Sequence, residues 1–504
     1  MVKTVLIGLY DQESTGLRIL HRCLKDRGHE VYTIFLKFIK KHGTNLPTKK
    51  EISLLVNKIK EIQPKIIGIS LRSMYFRVAI ELTKKIRDVS DAKIIYGGVH
   101  PTIEPIECLK FADMVCIGEG EQAIVELADK IEAGENFEKI KNIWLKTPKG
   151  IIKNEFAPFI KNLDSIPFPD YSDSQKYYIE DDKLSGRNFL PIHEIVYPIM
   201  TSRGCPFSCT FCQNNTFKKI FVNCGPIIRR RSPENVISEL IWARKKWSTI
   251  AKIYFEDDVF SYDLEWLREF SKLYKKHINL LFYCYVHPSC VNENAIKLLK
   301  EIGLYEVNMG IQSGSERIRK EIYGRYETDA QIIETIKILN KYKIRVVCDL
   351  ILSNPYEGEE DKRKCLELLL KLPKPIILLT YVLKYYPNCE MTKMALKDGF
   401  ITKKDLESNN KISNQHWHGK FLSCFSRDEF FWNSLYYLAS KNYPKRLVEK
   451  IYRSKLIRRY PTILVSSIKG IEEINFLVSS FPKSMNYIKR GQFRLLLKKI
   501  KSSV

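Results

Sequence analysis

Three cysteines carry the densest chemistry in the chain. Cys205, Cys209 and Cys212 fall within the run SRGCPFSCTFC, at C-x3-C-x2-C spacing. Thiolates so close together hold a metal or a metal cluster. A structural zinc takes four donors, commonly as two C-x2-C pairs. The next cysteine, Cys224, is twelve residues on, at a spacing zinc sites do not use. Covalent haem attachment needs a histidine directly after a C-x2-C pair, and Gln213 stands there. An iron–sulfur cluster is held by thiolates. Three of them on four irons leave one iron open, and an open position is what a catalytic metal keeps.

Strong elements must present such a loop. EIVYPIMTS, just before the cysteines, reads as a strand that delivers them at its carboxyl end. KIYFEDDVF sets Glu256, Asp257 and Asp258 at a second strand end, and EVNMGIQSGSERI sets Gln312 and Ser313 at a third. His287 in YVHPS ends another; a lone histidine there reads as structural.

The first 140 residues alternate strand and helix. TVLIGLY, HEVYTIFL, KIIGIS, AKIIYGG and MVCIGEGE are apolar strand runs, with helical patterns STGLRILHRCLKDRG, KKEISLLVNKIKEIQ, YFRVAIELTKKIRDV and QAIVELADKIEAG among them. That order predicts a parallel, doubly wound α/β sheet of about five strands. Ligands of such sheets bind beyond the carboxyl ends of the strands. The loops there are DQESTG, SLRS, GGVHPT and GEGE.

These motifs resemble a family. Residues 1–140 are similar to cobalamin-binding domains, in which a D-x-H-x-x-G loop, a serine and a glycine pair follow strands one, three and four. The matching positions are Asp11, Glu13 and Gly16, then Ser70, then Gly97 and Gly98. Glu13 replaces the histidine that ligates cobalt in relatives, and a carboxylate is a poorer match than imidazole for that metal. The resemblance therefore implies cobalamin whose lower face lacks a histidine.

The cysteine run, with Phe211 before Cys212, resembles the signature of the radical S-adenosylmethionine (SAM) superfamily. VVCDLILSNPYEGEE and YYPNCEMTKMALKDG follow in the order of its cobalamin-dependent branch, so the resemblance spans residues 1 to about 400. It implies a partial (β/α)6 barrel and a 4Fe-4S cluster on Cys205, Cys209 and Cys212. SAM would chelate the fourth iron, with Phe211 beside its adenine. Glu256, or else Asp257 or Asp258, would take the methionyl ammonium; Gln312 and Ser313 would take the ribose or carboxylate. The expected organisation is a cobalamin-binding domain at 1–140, a linker at 141–192, a radical SAM barrel at 193–400 and a basic helical region at 401–504.

The resemblance implies a C-methyltransferase acting on an unactivated carbon through a 5′-deoxyadenosyl radical and methylcobalamin. A radical cyclase or rearrangement enzyme has the same domains. A tRNA methylthiotransferase would need a second cysteine trio near the N-terminus, which is absent, and a cobalamin sensor would need no cluster. Expected partners are a small-molecule substrate and an electron donor such as flavodoxin or ferredoxin.

Composition agrees with a packed protein: 504 residues, 44% hydrophobic and 12% aromatic, too long for one core. No apolar run reaches the roughly 18–20 residues of a transmembrane helix. The thirteen cysteines are mostly scattered, which fits a reducing cytoplasm better than a disulfide framework. Of the net charge of +25, about half falls in 441–504, where 16 Lys or Arg face three Glu. Without interleaved aromatics, this stretch reads as a solvated basic tail rather than a nucleic-acid groove.

Overall fold

The computed structural model describes residues 1–38, 46–189, 191–409, 426–441 and 443–461. Strands β1 (Lys3–Leu9), β2 (Glu30–Leu36), β3 (Ile66–Ser70), β4 (Lys93–Gly97) and β5 (Met114–Cys116) are the five expected from the sequence. All pair in parallel, and their side chains are buried on both faces, which is why each reads as an unbroken apolar run.

The sheet is wider than expected, with nine strands in the order β7-β6-β5-β4-β3-β1-β2-β8-β9. The extra four come from the segment 141–192, which is therefore no free linker. β6 (Ile143–Thr147) and β7 (Gly150–Lys153) form a hairpin beside β5. β8 (Lys176–Glu180) runs parallel to β2 and turns back into β9 (Lys183–Ser185). The β8–β9 turn is Asp181-Asp182, both at positive φ (49° and 59°), the conformation that closes a two-residue hairpin.

The second unit is a sheet of six parallel strands in sequence order, an open barrel. Its strands are β10 (Val196–Ile199), β13 (Lys252–Phe255), β14 (Leu281–Val286), β15 (Leu304–Gln312), β16 (Arg345–Leu352) and β17 (Ile377–Val382). Alternate residues, such as Phe255, Phe282, Cys284, Val307, Met309 and Cys348, are fully buried under the helices. Their neighbours Tyr254, Tyr283, Tyr285 and Asp349 take the opposite face of the pleat. A short ribbon, β11 (Ser202–Arg203) with β12 (Arg229–Arg230), carries the cysteine loop.

Helices after the barrel pack over it. The helix Arg427–Ser440 buries Phe431, Trp432 and Leu435, and its Tyr436 hydroxyl donates to the Lys362 carbonyl at 3.1 Å. The basic stretch 462–504 lies outside the described residues. Among those described, no helix is long and apolar enough to cross a membrane.

Candidate functional site

The strand ends of the two sheets meet. At their junction lies a cavity of about 500 Å³ whose wall includes Ser70, Gly97 and Gly98 from one side and Gly204, Cys205, Glu256 and Asp258 from the other. It reaches inward past Leu6, Gly68 and Ile95 to the helix Thr15–Asp26. Gly68, in mid-strand, keeps this slot open: a Cβ there would stand 3.0 Å from Leu6 Cδ2. Gly98 has φ +100°, and a Cβ would come 3.2 Å from the Leu71 backbone. These openings fit a large flat ligand with a buried tail.

Cysteines 205, 209 and 212 occupy a tightly fixed loop. Gly204, at φ +90°, admits no side chain, since a Cβ would lie 2.2 Å from Ile227 O. Thr210 N donates to Tyr323 O at 3.0 Å and its hydroxyl to Ile322 O at 2.6 Å. Burial pushes the Cys205 thiol up to about 11 and that of Cys212 to about 12, and each feels the charge of its neighbours. Among the described residues no three His, Cys, Asp or Glu side chains converge on a single-ion site.

The three acids after β13 differ in surroundings. Asp257 accepts from Thr201 N (3.2 Å), from Thr201 Oγ1 (2.8 Å) and from the Ser202 hydroxyl, so it braces the cysteine loop. Asp258 accepts from Asn214 Nδ2 at 2.9 Å, lines the cavity and acts electrostatically on Cys205 and Cys212. Glu256 lines the same cavity but reaches toward the first domain, where Thr15 Oγ1 donates to it at 3.0 Å. Burial pushes its carboxyl up to about 7.

On β15, Gln312 sits at φ +66° and folds its amide over Gly310, where a Cβ would lie 2.2 Å from Nε2. Ser313 is instead engaged, donating to Glu357 Oε1 at 2.8 Å. Beside Gly310 in register is Asp349, whose buried Oδ1 has no hydrogen-bond partner and whose carboxyl is pushed up to about 7 by burial. None of Gln312, Ser313 and Asp349 is on the cavity wall. Phe211 packs edge-on against Tyr323 at 5.1 Å and is not on the cavity wall.

Glu13 is the main departure among the sequence candidates. Its Oε1 accepts from Asn188 Nδ2 at 3.0 Å and its Oε2 from His193 Nδ1 at 2.9 Å. Neither Glu13 nor Asp11 lines the cavity; Asp11 pairs with Arg72 at 3.1 Å. Gly16, Ser70, Gly97 and Gly98 do. The carboxylate is held toward the segment before β10 by these two contacts, with Asn188 and His193.

Several residues of this region escaped sequence reasoning. Glu119, in the GEGE loop, accepts from Arg203 Nη1 at 2.8 Å, Arg229 Nη1 at 2.7 Å and Ile160 N at 3.0 Å, and Arg203 also pairs with Glu121. This half-buried ion cluster joins the first domain to the cysteine loop. Asn388 adds a second tie, donating to Ile103 O at 2.6 Å. The sequence signalled the loop GEGE but not its partners, of which the arginines lie over 80 positions away.

Fold and site together define a two-domain α/β enzyme with a cavity shared between its domains. The B12 binding domain family matches residues 7–128 and the Radical SAM superfamily matches residues 199–369. The chain thus carries a B12-binding domain ahead of a radical SAM domain, and this pair of domains implies a 4Fe-4S cluster, SAM and cobalamin as its cofactors. An uncharacterised methyltransferase of Pyrococcus horikoshii is 28% identical over 351 residues, 68% of this chain and 72% of that one. Cytidylyl-2-hydroxyethylphosphonate methyltransferase of Streptomyces wedmorensis is 25% identical over 53% of this chain and 54% of its own. An anaerobic magnesium-protoporphyrin IX monomethyl ester cyclase of Cereibacter sphaeroides is 29% identical over 37% of this chain and 29% of its own. The fold is that of the radical SAM methyltransferase TsrM from Kitasatospora setae, solved with cobalamin and a [4Fe-4S] cluster (TM-score 0.63, 19% identity, covering 79% of this chain and 78% of that one).

Proposed function

We propose that the protein is a methyltransferase that places a methyl group on an unactivated carbon of a small molecule. The observation that carries this reading is the shared cavity, whose wall includes Ser70, Gly97 and Gly98 from one domain and Cys205 and Asp258 from the other. A substrate held there meets both domains at once, a common place for a pocket. When bound, the cluster and SAM supply a 5′-deoxyadenosyl radical that takes hydrogen from carbon, and cobalamin supplies the methyl group.

The roles of the chain's own residues follow from their positions. Cys205, Cys209 and Cys212 would hold the cluster. Asp258, next to the thiols, is better placed than Glu256 to accept hydrogen bonds from the methionyl ammonium. Gln312 and Asp349, whose Oδ1 is unpaired and which is in register with Gly310, would take the ribose hydroxyls. Gly16, Ser70, Gly97 and Gly98 would line the cobalamin seat, and Glu256 would face it from the barrel side through Thr15. Glu13 would not contact the cobalamin seat, since both its oxygens are engaged elsewhere.

Anaerobic reconstitution with iron, sulfide and cobalamin, followed by product analysis against a metabolite extract, tests the reading. Reduced flavodoxin or ferredoxin would supply the electron. Methyl transfer yields S-adenosylhomocysteine and 5′-deoxyadenosine together. The second alone would sink the methyltransferase and favour a cyclase, a reading that the Cereibacter sphaeroides relative supports.

A further inference from the structure

Behind Cys209 the barrel buries a short chain of charged and aromatic groups. Arg325 Nη1 lies 3.8 Å from Cys209 Sγ, Nη2 donates to Gly310 O at 2.7 Å, and Nε donates to Glu327 Oε1 at 2.6 Å. The Glu327 side chain is wholly enclosed and that of Arg325 nearly so, at 0% and 7% exposure. The second oxygen of Glu327, Oε2, has no hydrogen-bond partner and stands 3.8 Å from His287 Nε2, which also has none. The His287 ring stacks on Phe207 with centroids 3.6 Å apart. Phe207 and Cys209, two positions apart on the cysteine loop, are thus held from behind by one connected set of side chains.

A buried ion pair is a poor way to gain stability, because its desolvation costs about as much as its attraction returns and apolar replacements often do as well. A pair oriented with its positive end on a metal-ligand thiol has a clearer use. A cation against a cluster ligand favours the reduced cluster, which carries one more negative charge, and burial limits the screening of that effect.

We infer that Arg325, oriented by Glu327, is a positioning residue for the iron–sulfur cluster: it fixes positive charge at Cys209 and makes the cluster easier to reduce. This rests on the cluster reading above and adds the residues that tune it. The pair makes a signed prediction, because its two members act in opposite directions. Losing Arg325 leaves the Glu327 charge unbalanced and disfavours reduction. Losing the Glu327 charge leaves Arg325 unopposed and favours it.

The test is a redox titration of the anaerobically reconstituted full chain without SAM, followed by electron paramagnetic resonance of the reduced cluster, with iron and sulfide counted in each sample. Arg325→Gln should shift the midpoint potential to more negative values and Glu327→Gln to more positive ones, while Arg325→Lys should stay near the parent protein. Potentials unchanged in both Gln variants, or shifted in the same direction, overturn the inference. Should Arg325→Gln take up no cluster, Glu327→Gln decides alone: a potential at or below the parent's overturns it. A parent protein that takes up no cluster removes the underlying reading and the inference with it, an outcome the iron count separates from the others.

Discussion

Thr15, on the first turn of the first helix, donates its hydroxyl to Oε2 of Glu256 at 3.0 Å, across the boundary between the two domains. The hydrogen bond holds a carboxyl of the barrel against the B12-binding domain at the rim of the cavity. Burial there outweighs the pull of the Thr15 hydroxyl, so the Glu256 pKa rises to about 7.

That shift carries a sign that stability measurements can read. A carboxyl raised above its unfolded value of about 4.5 binds more protons folded than unfolded, so stability falls as pH climbs from there to about 7. Glu256→Gln should remove this loss. In urea unfolding of the apo-protein, the variant should gain little over the parent at pH 5 and most at pH 8, by roughly 3 kcal/mol at most. A gain that does not change with pH would sink the assignment.

Serine at any one of Cys205, Cys209 or Cys212 should abolish stable cluster uptake, read as loss of bound iron and sulfide after anaerobic reconstitution. Cys224→Ser is the control. Its thiol belongs to the apolar core of the first domain, beside Phe221, and its carbonyl accepts from Phe159 N at 2.7 Å. That variant should load iron like the parent.

Gly98→Ala forces a left-handed backbone on a side chain whose Cβ would press on Leu71 N and O at 3.2 Å. The strain is of the order of 1–3 kcal/mol. Because Gly98 lines the cavity, the variant should also retain less cobalamin after gel filtration. Gly16→Ala meets no atom within 4 Å and should show far smaller changes in both readouts.

Glu119 joins Arg203 and Arg229 across the domains, and these neighbours hold its carboxyl below the usual range against the opposing effect of burial. Removing one partner of a buried pair costs about 3–5 kcal/mol, discounted here because Glu119 and Arg203 remain 15% and 21% exposed. Glu119→Gln should lower the urea midpoint at pH 7. The difference should shrink as pH falls through the carboxylate range, since the depressed carboxyl stabilises the fold only while ionised. An unchanged midpoint would mean that the ion cluster does not hold the domains together.

The sequence by itself determined the five parallel strands of the first sheet, because strands buried on both faces are short apolar runs, and Val5 to Leu9 and Ile66 to Ile69 are such runs alternating with helical patterns. It determined the cysteine trio and its missing fourth member, because ligand spacing on one loop is local. It could not show that 143–153 and 176–185 extend that sheet, since these are edge hairpins with mixed burial patterns that read as connector. Nor could it separate the roles of Glu256, Asp257 and Asp258. Adjacent residues at a strand end diverge in direction, and only the folded chain sets one against Thr15, one against Thr201 and one against Asn214. The same holds for Glu13, whose partners Asn188 and His193 lie 175 and 180 positions away. Spacing along the chain fixes what a loop can bind, while long-range packing decides which side chains remain free to bind it.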